Sequence, residues 1–184
     1  MSSALPPWAA ELLHVWFSRL RPIDWWQADE AVDSMLRKRF GAVLEAQAHR
    51  PAASFCHTPR QALAAILLFD QVPRNIHRGS AMAFAYDPLA RSICHIAIAR
   101  GFDRALAGGR AHFLAMPLMH SEDIADQRLA LTLFRRIDRG SAFGFARAHH
   151  RMIARFGRFP HRNAVLGRES SEAELAAIDA GFAW

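Results

Sequence analysis

Lysine is almost missing from this 184-residue chain: Lys38 stands alone, and the other 22 basic residues are arginine. A coding bias toward G and C sets such a ratio, but it does not decide where the arginines fall. Cysteine is scarce too. Cys56 and Cys94 each precede a histidine, yet they lie 38 positions apart and match no compact metal-ligand spacing. Both read as buried thiols, and no metal or cofactor is assigned. The longest unbroken apolar run, Ala62 to Phe69, has eight residues, far short of the roughly 20 needed to cross a bilayer, so no membrane span is expected. No basic residue precedes Arg19, and Pro6, Pro7 and Glu11 occupy the start, which argues against a secretory signal and for a cytoplasmic protein. A glycine-rich phosphate loop, a serine nucleophile elbow and a paired-histidine helix motif are all missing, so the usual nucleotide-binding and hydrolase signatures fail.

What is present is 52% hydrophobic residues, enough for a real core in one domain over residues 1–184. Nearly every segment repeats at a helical period, and no run alternates as a strand does. The expected class is all-α, with about eight or nine helices. Helices are predicted from Trp8 to Phe17, from Trp25 through Phe40 with Gly41 a weak point, and from Thr58 to Gln71, ending before Pro73. Thr58 with Gln61, and Ser171 with Glu174, read as capping boxes. Further starts are predicted at Ser80 or Asp87, at Ala111 with a stop near Pro117, at Ser121, and at Ser141 with a stop at Gly157.

The charge is unevenly placed. Residues 135 to 168 hold nine arginines against one acid, Asp138, while the remainder carries 14 basic and 16 acidic residues. The whole excess of +6 therefore sits in one stretch, which predicts a localised cationic surface or pocket and an anionic partner. Arg155, Arg158 and Arg162 flank a turn made by Gly157 and Pro160, where bidentate guanidinium forks can converge on a carboxylate or phosphate. Asn163 closes this segment. Asp70 ends an apolar helix and needs a cation, for which Arg74 and Arg78 are in local reach, with Asn75 between them. His120, Ser121 and Glu122 stand at a helix start, where an acid–base pair or an anion site is feasible. His149 faces the apolar side of its helix, and His161 lies in the basic turn. The candidate catalytic residues are thus His120, Glu122 and His161. The candidate ligand-binding residues are Asp70, Arg74, Asn75, Arg78, Ser121, His149, Arg155, Arg158, Arg162 and Asn163.

Several blocks, taken in order, resemble the bacterial DUF924 family, whose members are uncharacterised. They are Trp16-Phe17, Trp25-Trp26, the run Asp70 to Gly79, Ala83-Phe84-Ala85 with Asp87, Met116 to Glu122 with Gln127, Phe145-Ala146 with His149, and Arg155 to Asn163. Departures are mild: Val72 where Phe is usual, His77 where Tyr is common, and Phe69 where Leu is common. The resemblance implies a tetratricopeptide-like helical fold and supplies no activity, cofactor or catalytic residue. The function expected from the residues is a pocket rich in Arg and His that binds an anionic small molecule or peptide group. A tetratricopeptide-like interaction module without catalysis is the alternative. Nucleic acid is not favoured, since no recognised motif accompanies the basic stretch. Five tryptophans and thirteen phenylalanines are enough to cover a dimer face as well as a core, which leaves a homo-oligomer open.

Overall fold

A computed structural model describes residues 4–181, and among them every regular element is helical. The apolar run seen in the sequence is the centre of the molecule. Helix α3 (Pro59–Ile66) passes into a π-helical turn (Leu67–Gln71) and then α4 (Val72–Ile76), and Gln61 through Pro73 are all buried. The helix does not stop before Pro73, as the sequence suggests. Proline has no N–H for the carbonyl four residues back and its ring crowds that group, so the chain widens by one residue and continues. That turn carries Asp70 and Gln71, 1% and 5% exposed, side by side into the interior.

Around this axis, α1 (Pro7–His14) and α2 (Glu30–Gln47) pack on one side, α5 (Asp87–Ala99) and α7 (Gly109–Met119) on another. The short α6 (Phe102–Ala105) links the latter two. Helix α8 (Ile124–Ile137) lies between α7 and α9 (Ser141–Phe156), and α10 (Glu172–Asp179) covers a smaller apolar cluster of Met152, Ile153, Phe159 and Ala177.

Several boundaries differ from the sequence reading, each for a local reason. α1 ends at His14 and passes into a π-helical turn over Val15–Arg19. α2 begins at Glu30, because Pro22–Trp25 forms a separate 3-10 turn and Asp29 accepts hydrogen bonds from the amides of Ala31 and Val32. It then runs straight through Gly41, pinned on either side by buried Phe40 and Leu44. α5 starts at Asp87 with Pro88 in its first turn, where the missing N–H costs nothing. Pro117 lies inside α7, held there by buried Ala115, Met116, Leu118 and Met119. The cap of α8 is Asp123, which accepts from the Ala125 amide at 2.8 Å, while Ser121 two residues upstream accepts from Asp123. Ser171 and Glu174 form the expected reciprocal box. At the Thr58 cap only half the box is made: Thr58 accepts from Gln61, whose own amide donates to the Ser54 carbonyl.

Candidate functional site

Gly157 ends α9 in the left-handed conformation, φ 70°, which glycine adopts without steric penalty, and its amide returns to the Ile153 carbonyl. The turn that follows sends its charged residues in different directions. Arg158 points to α10, where its guanidinium holds both oxygens of Glu174 at 2.6 and 2.9 Å and the Glu169 carbonyl. The Glu174 carboxyl is driven well below its usual range, chiefly by that side-chain bond and then by the Ser171 amide. Phe159 is fully buried. The short 3-10 turn Pro160–Arg162 then brings His161 and Arg162 back toward the centre.

There they meet α4, the end of α7 and one face of α9 around a pocket of about 850 Å³. Arg74, Asn75 and Arg78 come from the first block, His120 from the second, and His149, His161 and Arg162 from the third. Trp25, Trp26, Phe84, Met116 and Phe145 supply apolar wall, and His112, Asp138 and Ser141 complete much of the polar side. The volume falls within the range that small-molecule sites span, and the lining mixes apolar and polar groups.

Six of the expected residues do not line this pocket: Asp70 lies behind it, and the other five are engaged elsewhere. Glu122 accepts two hydrogen bonds from Arg168, at 2.8 and 3.0 Å, and one from the Phe159 amide, so it ties the turn to α8. Ser121 belongs to the entry of α8, and Arg158 is paired as above. Arg155 is exposed and lies over its neighbour Phe156, 4.7 Å from the ring centre. Asn163 is wholly buried and donates to Ser170. Of the nine arginines in the basic segment, Arg162 alone lines the pocket. The concentrated charge of the sequence is therefore dispersed over several faces. Arg136, for instance, pairs with Asp103 on another side of the molecule.

The lining cations differ in how well they are compensated. Arg78 holds both oxygens of Asp33 at 3.0 Å. Arg74 holds both oxygens of Asp87 at 2.8 and 3.0 Å and lies 3.3 Å from Asp70. Arg162, 6% exposed, is pressed between the rings of Phe84 and Phe159, 4.6 and 4.5 Å from their centres. Its nearest carboxylate oxygen among the described residues is on Asp87, 3.5 Å away, and its Nε is buried without a hydrogen-bond partner. Burial, followed by repulsion from Arg74, pushes the Arg162 pKa down to about 10, against opposing pulls from Asp87, Glu122 and Asp70. Arg162 is thus a buried cation whose closest carboxylate is shared with Arg74 and whose Nε makes no hydrogen bond among the described residues.

Behind the pocket, Asp70 is bound from three sides. His120 Nδ1 is 2.8 Å from its Oδ1, Gln71 donates to its Oδ2 at 2.5 Å, and Arg74 lies alongside. Burial alone would raise the carboxyl, but Arg74, His120 and Gln71 outweigh it and hold Asp70 well below the usual range. An ionised Asp70 must accept, so His120 carries its proton on Nδ1. Burial lowers the His120 pKa, with Asp70 pulling the other way and Arg74 and Arg162 reinforcing the drop. The ring is thus biased toward its neutral form, with Nε2 the nitrogen not committed to Asp70. His149 donates from Nδ1 to the Phe145 carbonyl at 2.9 Å, its ring centre 6.2 Å from that of His120. Burial, then the proximity of His120, takes the His149 pKa down to about 3; burial and Arg162 take His161 to about 4.

Residues that the sequence did not single out as a site include Asp87, Phe84, Trp26, His112 and Asp138. No spacing rule connects them. Trp26, Phe84 and Asp87 do lie in the blocks that carry the family resemblance, and Phe84 and Asp87 follow the first polar block closely. Among the described residues, no group of three or more His, Cys, Asp or Glu side chains is arranged to hold a metal ion, and no helix is long and apolar enough to cross a membrane.

A family model described as a bacterial protein of unknown function, DUF924, matches residues 12–181. The solved structure of the protein of unknown function ATU0120 from Agrobacterium tumefaciens is similar at 37% identity and a TM-score of 0.88, covering 94% of this chain and 97% of that one. No match was found among curated proteins. The extent of the family match and the likeness of the two folds agree: this chain belongs to the DUF924 family of bacterial proteins.

Proposed function

We propose that the pocket binds a small organic anion, a carboxylate carried on an apolar body. The observation that supports this most is Arg162, a buried guanidinium on the pocket wall whose one carboxylate at ion-pair distance among the described residues is already held by Arg74. A ligand carboxylate supplies both the missing charge and an acceptor for the guanidinium. The apolar remainder of such a ligand matches Trp26, Phe84 and Phe145, the first and last of which are 55% and 52% exposed at the rim. Arg74, Asn75, Arg78, His120, His149 and His161 line the rest, with Asp70 behind His120. A tetratricopeptide-like interaction module calls for an extended groove; the convergence of three separate polar turns on one pocket favours the small ligand instead.

Benzoate and its neutral analogue benzamide test the reading by calorimetry. Benzoate should bind and benzamide should not. Arg162→Met, which retains bulk between the two phenylalanines, should weaken benzoate by about 10- to 100-fold, the loss of a charge-assisted hydrogen bond. Equal affinity for the two probes, or full benzoate affinity in the variant, overturns it.

A further inference from the structure

We infer that the pocket is an active site in which His120, oriented by Asp70, is the general base that deprotonates a water molecule attacking an acyl substrate. The inference rests on the anion-binding reading above, because Arg162 is taken to anchor a carboxylate on the substrate.

Three features of the geometry support it. First, Asp70 is 1% exposed and fixes the Nδ1 side of the ring from behind the wall, so the nitrogen remaining to the pocket is the unprotonated Nε2. That is the arrangement by which a carboxylate sets the tautomer of a catalytic imidazole. Second, Asp70 is itself locked by Gln71 and Arg74, which keeps it from turning away and from taking the proton. Third, the other titratable groups of the lining are the imidazoles of His112, His149 and His161, the cations of Arg74, Arg78 and Arg162, and the carboxylate of Asp138. Asp138 accepts from the amides of Gly140 and Ala142, and among the strongest influences on His120 the one carboxylate is Asp70, opposed by Arg74 and Arg162.

The nucleophile follows from the lining. Ser141 is the one hydroxyl-bearing residue there, it interacts with Asp138, and no cysteine is present among the described lining residues. With Ser141 engaged by Asp138, the nucleophile assigned to His120 is water. In the step proposed, water oxygen bonds to the acyl carbon while one water proton passes to His120 Nε2. The carbonyl electron pair moves to oxygen and returns as the bond to the leaving group breaks. The imidazolium then gives its proton to the leaving group or to solvent.

The mono-4-nitrophenyl ester of glutaric acid is a suitable probe, because it has one free carboxylate and releases a coloured phenolate that needs no proton. 4-Nitrophenyl acetate, with the same leaving group and no carboxylate, is the comparison. Turnover of the glutarate ester should saturate and exceed that of the acetate. His120→Gln, whose amide can still donate to Asp70, should lower kcat by about 100-fold or more in a protein that remains folded, whereas His49→Gln, an exposed histidine away from the pocket, should leave kcat unchanged. Asp70→Asn should lower kcat with little change in KM and alter the acid limb of the pH–rate profile, an effect that loss of packing alone would not give. If the folded His120→Gln protein hydrolyses the ester at the wild-type rate, or if wild type binds glutarate competitively with benzoate but shows no turnover above buffer, the inference fails. The second outcome leaves the anion-binding reading standing; absence of benzoate and glutarate binding removes both.

Discussion

Arg162 reaches Asp87 only at 3.5 Å, across a carboxylate whose two oxygens Arg74 already occupies. Two guanidiniums thus share Asp87 at the pocket wall; Arg74 also has Asp70 beside it, and Arg162 has the weaker hold. An arrangement that is poor for stability is what a site needs in order to attract an anion.

Removing the surplus cation should therefore not harm the fold. In Arg162→Met the urea midpoint is expected to stay level or rise slightly, since a buried, under-compensated charge gives way to an apolar chain of similar reach. A drop of more than about 2 kcal/mol would show that Arg162 serves the structure instead.

Asp87→Asn should act in the opposite sense. Arg74 and Arg162 both lose their shared partner, and because Asp87 is 23% exposed the cost should be about 2 kcal/mol, between that of a surface pair and that of a buried one. Benzoate, however, should bind more tightly than to wild type. Weaker binding in a folded variant would count against the anion reading.

Arg158→Ala separates the basic turn from the pocket. Glu174 loses the guanidinium that Arg158 provides and the hold of the turn on α10 loosens, so the melting temperature should fall by a few degrees. Benzoate affinity measured below that temperature should not change, because Arg158 does not line the pocket.

Acid should destabilise the protein well before its carboxylates titrate. His149, His161 and His112 have folded pKa values of about 3, 4 and 4, each below the ordinary 6.5. Above pH 6.5 both states are neutral and the full stability is present. As pH falls from there toward 4 the unfolded chain takes up protons that the folded chain does not, and stability is lost. For His149, 6% exposed, the loss is at most about 1.4 kcal/mol per pH unit. Asp70, depressed in the folded state, acts in the same direction at lower pH. Urea midpoints at pH 7, 6 and 5 read this out, and a flat profile over that interval contradicts it.

Local chemistry was legible where its partners were near in the chain. The apolar run Ala62–Phe69 is the buried axis because eight such residues can satisfy their surroundings only inside. Gly157 ends its helix because it alone in that turn takes a positive φ, and Ser171 caps with Glu174 three residues away. The helical class, and the demand of Asp70 for a cation, follow from the same short-range rules. Long-range pairing was not legible. Nothing in the spacing tells Arg158 to choose Glu174, Arg168 to choose Glu122, or Arg78 to choose Asp33, and those choices dispersed a charge that looked concentrated along the chain. Sequence fixes which groups must find a partner, because burial of an unpaired charge is costly wherever it occurs. Tertiary packing decides which of them do, and at the pocket wall it left Arg162 incompletely matched and His120 with one nitrogen committed to Asp70.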